Sequence, residues 1–230
     1  MPKKVETRLY SMADSQLKQL ADGLKTTITR DLADFATRNI TATQLATYQT
    51  LIDAFDATST DEELLGSVTV ATATKNEVAE NIRKAIRNIR GIAATAFNSK
   101  GKYNIFAFED LARLTDADLY RLAKRVVRVS GKFFTEMAAH GLVQAQITEL
   151  TNLSQNLDTA IDDIEDAIET RDLETQDRIA KGNTLWQEMI RLAGIGKSLY
   201  QDTNEAKYND YVLIGSNDGE LDAPTTPPTA

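Results

Sequence analysis

Gly194-Ile195-Gly196-Lys197-Ser198 ends as a phosphate-binding loop ends, with a lysine for phosphate and a hydroxyl for magnesium. The rest of that motif is missing. The place of its first glycine is taken by Arg191, and the preceding Trp186, Met189, Ile190 and Leu192 read as helix, not strand. The pentapeptide is therefore expected at a helix end. An acidic run offers metal chemistry. Asp162, Asp166 and Glu169 share one helical face, as do Glu165, Glu169 and Asp172, and such carboxylates can ligate a hard cation. They lack the glycine and the alternation of a calcium loop, so dipole compensation and a solvated face are the expected role. A di-iron bundle needs paired Glu-x-x-His motifs, and this chain has one histidine, His140, at an expected helix terminus beside Gly141. Cysteine is absent. Nucleophile–base pairs have almost nothing to draw on, so no catalytic residue, metal or cofactor is expected.

Positive charge is gathered too. Arg121, Lys124, Arg125, Arg128 and Lys132 recur at helical spacing, and Arg83, Lys84, Arg87 and Arg90 do the same earlier. An acidic stretch over 158–177 balances them, so the faces are expected to neutralise one another within or between molecules. A net charge of −8 and few interleaved aromatics argue against nucleic acid, and the charge also argues against an anionic membrane. Arg121, Arg125 and Arg128 are instead candidate contacts for a protein partner. So are Tyr103, Phe106, Tyr208 and Tyr211, from a signature that occurs twice: Lys102-Tyr103-Asn104-Ile105-Phe106 and Lys207-Tyr208-Asn209-Asp210-Tyr211. These aromatics can equally seal the end of a bundle, or alternate as short paired strands.

The elements that carry these residues follow from an internal repeat. Met12–Asp56 recurs without a gap as Leu114–Asp158, a shift of 114 − 12 = 102 positions. Each copy opens with an apolar helical stripe: Leu17, Leu20, Leu24, Ile28, Leu32 and Phe35 in the first, and Leu119, Leu122, Val126, Val129, Phe133 and Met137 in the second. Ser11 with Asp14 and Thr115 with Asp118 are expected N-cap pairs. Asn39 aligns with Gly141, the two residue types that tolerate the left-handed conformation closing a helix, and each is followed by an apolar residue, Ile40 or Leu142. Thr41 with Gln44 has the capping-box spacing for a second helix, which should stop near Thr58. Asp61-Glu62-Glu63 then starts a third, with its counterpart restarting near Asp162-Asp163. Ser67–Thr74 alternates like a strand, but its counterpart Ala167–Glu174 is a good helix former, so helix is expected there. Ala93, Ala94, Gly194 and Gly196 would permit close helix approach. Nothing between Lys3 and Ala223 is proline, which favours long helices.

The expectation is an all-α protein of six long helices, two homologous three-helix repeats forming an elongated bundle. Repeat one spans 8–108 with helices near 14–38, 42–57 and 61–97. Repeat two spans 109–214 with helices near 116–140, 144–159 and 163–200. A flexible Pro/Thr-rich tail, 215–230, follows and is expected to rest on a neighbour. No apolar run has membrane-spanning length and no secretory signal follows Met1, so a cytoplasmic location is the default.

Thr60-Asp61-Glu62-Glu63, Ala85-Ile86-Arg87 and Asn204-Glu205-Ala206-Lys207-Tyr208-Asn209-Asp210-Tyr211-Val212 carry a resemblance over most of residues 8–214. The chain resembles bacterial tandem-repeat helical proteins with no assigned activity. That resemblance implies the helical fold and no reaction. The functional expectation is a non-enzymatic structural or interaction bundle that associates with itself or another protein through helical faces and its tail. The alternative is a small-molecule pocket between the repeats, near Trp186, Phe97 and Tyr200.

Overall fold

The computed structural model describes residues 6–97, 100–108 and 110–213; the expectations for the tail lie outside them. The described residues are helical, with no strand. The order is α1 (Asp14–Arg30), α2 (Leu32–Ala36), α3 (Ala42–Asp56), α4 (Asp61–Ala96), α5 (Lys100–Ile105), α6 (Asp116–Lys132), α7 (Phe134–Ala138), α8 (Gln144–Tyr200) and α9 (Glu205–Asn209). Ser67–Thr74 is helix within α4, and the two aromatic signatures form α5 and α9 with the turns after them, not strands.

Helix ends follow local chemistry. Asn39 and Gly141 adopt positive φ, 62° and 100°. The next amides then reach back, Ile40 N–H to the Phe35 carbonyl and Leu142 N–H to that of Met137, each at 3.1 Å. This six-to-one bond satisfies a carbonyl that the finished helix leaves open. Thr41 caps α3, with Gln44 Oε1 accepting from its amide at 3.0 Å. Gln146 does the same for Val143 at 2.9 Å. Thr115 caps α6 through the Asp118 amide. At α1 the cap is displaced: Ala13 holds the position, its amide bonded to Gln16, and Ser11 lies outside.

Three helix expectations need correction. The regions 14–38 and 116–140 are each interrupted by one residue, Asp31 and Phe133. The expected restart near Asp162-Asp163 does not occur, because 144–159 and 163–200 are one helix of 57 residues. The contrast with the break after α3 has a cause. After α3 the chain reads Ala57-Thr58-Ser59-Thr60, and Thr58 Oγ1 donates to the Phe55 carbonyl at 2.7 Å, offering the backbone an alternative to helix. The corresponding Thr159-Ala160-Ile161-Asp162 holds one hydroxyl and runs straight through.

The chain divides into two compact units, and the division cuts across sequence order. Unit 1 takes the chain up to Thr60 together with everything from Asp172 onward; unit 2 is Asp61–Arg171. The boundary therefore falls inside α8. Unit 1 packs Leu17, Ala21, Leu24, Ile28 and Phe35 with Leu45, Tyr48, Ile52 and Phe55 of α3, against Leu185, Trp186, Met189 and Leu192 of α8. Unit 2 packs Ile82, Ile86, Ile89 and Ala93 of α4 with Leu119, Leu122, Val126 and Met137, against Ile147, Leu150 and Leu157 of α8. Each large apolar side chain buried in this way contributes about 1.5–3 kcal/mol. Neither unit coincides with 8–108 or 109–214.

Candidate functional site

Unit 1 buries a carboxylate where α1 meets α2. Asp31, in the interruption, is 4% exposed. Its carboxylate accepts from Arg30 at 3.1 and 2.7 Å, from Lys207 Nζ at 2.8 Å and from the Tyr211 hydroxyl at 2.9 Å. Lys207 is delivered by α9, whose N-terminus is capped by Asn204. Around this centre, Tyr200 donates to Asp34 at 2.6 Å, and Arg30 also pairs with Asp210 at 2.8 Å. Tyr211 stacks on Tyr200 and tilts against Phe35, with ring centroids 5.9 and 5.4 Å away. The Arg30 guanidinium, with Lys207 and Tyr211, holds the Asp31 carboxyl well below the usual carboxylate range. Burial, then the bond to Asp31, pushes the Tyr211 phenol up, and the bond to Asp31 raises Lys207. Four donated bonds saturate Asp31. It is a clamp, with no lone pair directed at a substrate.

The corresponding place in unit 2 is built from apolar groups. Phe133 interrupts the helix where Asp31 does, and Phe106 occupies the place of Tyr211 in the aromatic signature. Phe97 lies edge-on to Phe133 with centroids 5.6 Å apart and tilts against Phe106 at 6.2 Å. Lys102 binds Glu136 at 2.6 Å and passes over the Phe133 ring at 5.4 Å.

A second polar cluster lies further along α8 in unit 1. Arg178, 3% exposed, lies 3.1 Å from Asp14 and donates to the Ser59 carbonyl at 2.6 Å. Tyr10 donates to Asp14 at 2.8 Å. Asn183 holds the N-terminal segment from both sides: Oδ1 accepts from Leu9 N–H and Nδ2 donates to the Thr7 carbonyl, each at 2.8 Å.

The candidates read from sequence separate into two kinds. Phe106 and Tyr211 have no exposed surface and fill the two cores. Tyr103 and Tyr208 are half-buried beside them, Tyr103 accepting from Arg90 at 3.3 Å. Arg121 and Arg128 are exposed; Arg125 is half-buried and donates to the Ala107 carbonyl at 3.4 Å. Gly194-Ile195-Gly196-Lys197-Ser198 lies within α8, and Gly196 is buried against the Tyr211 ring while Gly194 and Ala94 are exposed. Asp162, Glu165, Asp166, Glu169 and Asp172 are exposed on α8, and no group of three or more acidic or histidine residues among the described residues is placed to hold a metal. Trp186 and Tyr200 pack in the core of unit 1 and Phe97 in that of unit 2. His140 sits in the turn after α7.

Sequence reasoning named Tyr200 only as a pocket residue and passed over Asp31, Asp34, Arg178 and Asn183. A signal existed for Asp31: it aligns with Phe133, and an acid opposite an apolar residue in an inward stripe asks for a buried partner.

Each unit also carries an open surface groove. One, of about 570 Å³ in unit 2, is lined by Glu63, Gly66, Val70, Ala71, Thr74 and Ala160, among others. The other, about 440 Å³ in unit 1, is lined by Thr58, Ser59, Leu173, Glu174 and Asp177 with Ala57 and Lys181. No helix among the described residues is long and apolar enough to cross a membrane. No protein-family model, curated protein or solved structure matches this chain.

Proposed function

We propose that this chain is a non-enzymatic helical interaction module, built from two homologous copies of a three-helix unit, which associates with a second copy of itself through exposed helical faces and the tail 215–230. Kinship with bacterial tandem-repeat helical proteins belongs to the same proposal. The two buried ionic clusters favour this reading, since their groups are engaged with one another instead of lining a cleft. The observation that carries it is the unit 2 groove. Small residues Gly66, Ala71 and Ala160 form it, Val70 lines it at 66% exposure, and Leu65 of the same helix is 58% exposed. Aliphatic surface beside small residues is what close helix packing uses, and a two-fold contact would bury the same strip of both copies. Light scattering of the purified chain tests this. A dimer at micromolar concentration that Val70→Asp returns to monomer is the expected result, with helix content unchanged. A wild-type chain that stays monomeric overturns it.

A further inference from the structure

We propose that the two copies exchange their third helices, so that each copy is a half-fold completed by the third helix of the other. This rests on the duplicated reading above and adds which helix completes which copy. Three observations converge. The third helix of the first copy, α4, lies in unit 2 with the α6 and α7 of the second. The α8 segment aligned with α4 lies chiefly in unit 1, with α1, α2 and α3 of the first.

The exit lysines repeat the pattern. Lys102 and Lys207 are the same residue of the two signatures, and Asp34 and Glu136 are the same acid of the two first helices. Lys102, from the first copy, binds Glu136 of the second at 2.6 Å. Lys207, from the second, lies 3.4 Å from Asp34 of the first. The opening turns agree. Asp14 and Asp116 are equivalent, and each meets a base on the other copy's third helix, Arg178 at 3.1 Å and Lys75 at 2.6 Å. An acid–base pair at each end of the helix contact fixes its register as well as its partner.

The apolar stripes explain why exchange is available. Both copies present the same inward pattern, so apolar packing alone admits either third helix in either half, and the ion pairs select between them. The face left by α1 and α3, or by α6 and the first part of α8, is thus a docking surface whose occupant is a third helix from the other copy. In this chain the sister copy supplies it.

A zero-length carbodiimide reagent, applied to the native full-length chain and followed by peptide mass spectrometry of the product with single-chain mass, reads the pairing directly. Lys102–Glu136 and Lys207–Asp34 links are expected. Lys102–Asp34 and Lys207–Glu136 links would show each copy keeping its own third helix, overturning the exchange while leaving the duplication intact. Neither pair, in a chain of full helix content, would overturn the exchange together with the equivalence of the two exits. As a second measurement, a protease site inserted between Ala112 and Arg113 lets the folded chain be nicked between copies. The nicked protein should keep the mass of the whole chain in native buffer and separate only in denaturant. Release of two folded halves under native conditions would overturn the proposal. Self-association does not enter either readout, since a monomer serves for both.

Discussion

Tyr211 donates its hydroxyl to Asp31 at 2.9 Å across 180 positions of sequence, joining the last turn of the described chain to the interruption between α1 and α2. Both residues are buried, Tyr211 being 0% and Asp31 4% exposed. The contact is therefore made away from water, where an unmade bond is costly. It also marks where the units diverge, because Phe106 and Phe133 hold the matching positions in unit 2.

Removing the hydroxyl in Tyr211→Phe should lower stability by about 1–3 kcal/mol, the cost of leaving a buried acceptor short of a donor. Asp31→Ala should cost about 3 kcal/mol, at the low end for a broken buried pair because Arg30 and Lys207 can turn to water. Combining Asp31→Phe with Tyr211→Phe imports the unit 2 solution and should cost less than the two single changes added together. Denaturant unfolding of the wild type, Asp31→Phe, Tyr211→Phe and the double variant gives the coupling, and strict additivity would contradict a direct interaction.

Acid should act through the same carboxylate. Asp31 is held below its ordinary value of 3.8, so its contribution is complete above that value and is lost as pH falls toward the depressed one. The acid side of a stability–pH curve should therefore flatten in Asp31→Asn. Alkali acts through tyrosines. Burial raises Tyr10, Tyr48 and Tyr211 above their ordinary 10.0, so their stabilisation is complete below that value and fades as pH climbs past it. In an absorbance titration of tyrosinate these three should ionise together, at alkaline unfolding, and early ionisation of any one would contradict its burial.

Two glycines on one helix should respond in opposite senses. A Cβ at Gly196 would overlap the Tyr211 ring, whereas nothing lies within 4 Å of one at Gly194. Alanine is preferred to glycine in a helix interior by about 1 kcal/mol. Gly194→Ala should therefore raise the melting temperature by a few degrees, limited by its closeness to the helix end, while Gly196→Ala lowers it by displacing Tyr211. Gly182, beneath the Tyr10 ring, should behave as Gly196 does. Calorimetry on the three variants distinguishes contact from propensity.

Ser130, 0% exposed in the core of unit 2, has no hydrogen-bond partner for its hydroxyl among the described residues. The residue 102 positions earlier, at the same place in the α1 stripe, is Ile28. Ser130→Ala should stabilise the chain by about 1 kcal/mol, because a buried hydroxyl without a partner loses its water for nothing. A fall in stability on thermal unfolding would show that the hydroxyl is satisfied.

Much of the helical inventory was legible from local sequence. Asn39, Gly141, Thr41 and Thr115 act on amides and carbonyls a few residues away, so their chemistry requires no knowledge of the fold. The same locality explains the missed continuity of α8: the acids at 162 and 163 look like a helix start, yet nothing before them stops the previous helix. The site was less legible. Phe106 and Tyr211 could be read as a lid, a partner contact or short strands because their signatures lie outside the long periodic stripes, and their burial depends on Phe97, Phe35 and Tyr200 arriving from elsewhere.

Sequence alone determined that these residues form helices, and where most of those helices begin and end, since caps and breaks are settled over four or five residues. Only the tertiary structure decided which helices share a core. The apolar stripes that begin at Leu17 and at Leu119 have the same spacing, so hydrophobic pattern cannot choose between α4 and the C-terminal half of α8 as the neighbour of each. The choice rests on long-range contacts such as Asp14 with Arg178 and Lys75 with Asp116, which are formed only once the chain has folded back on itself.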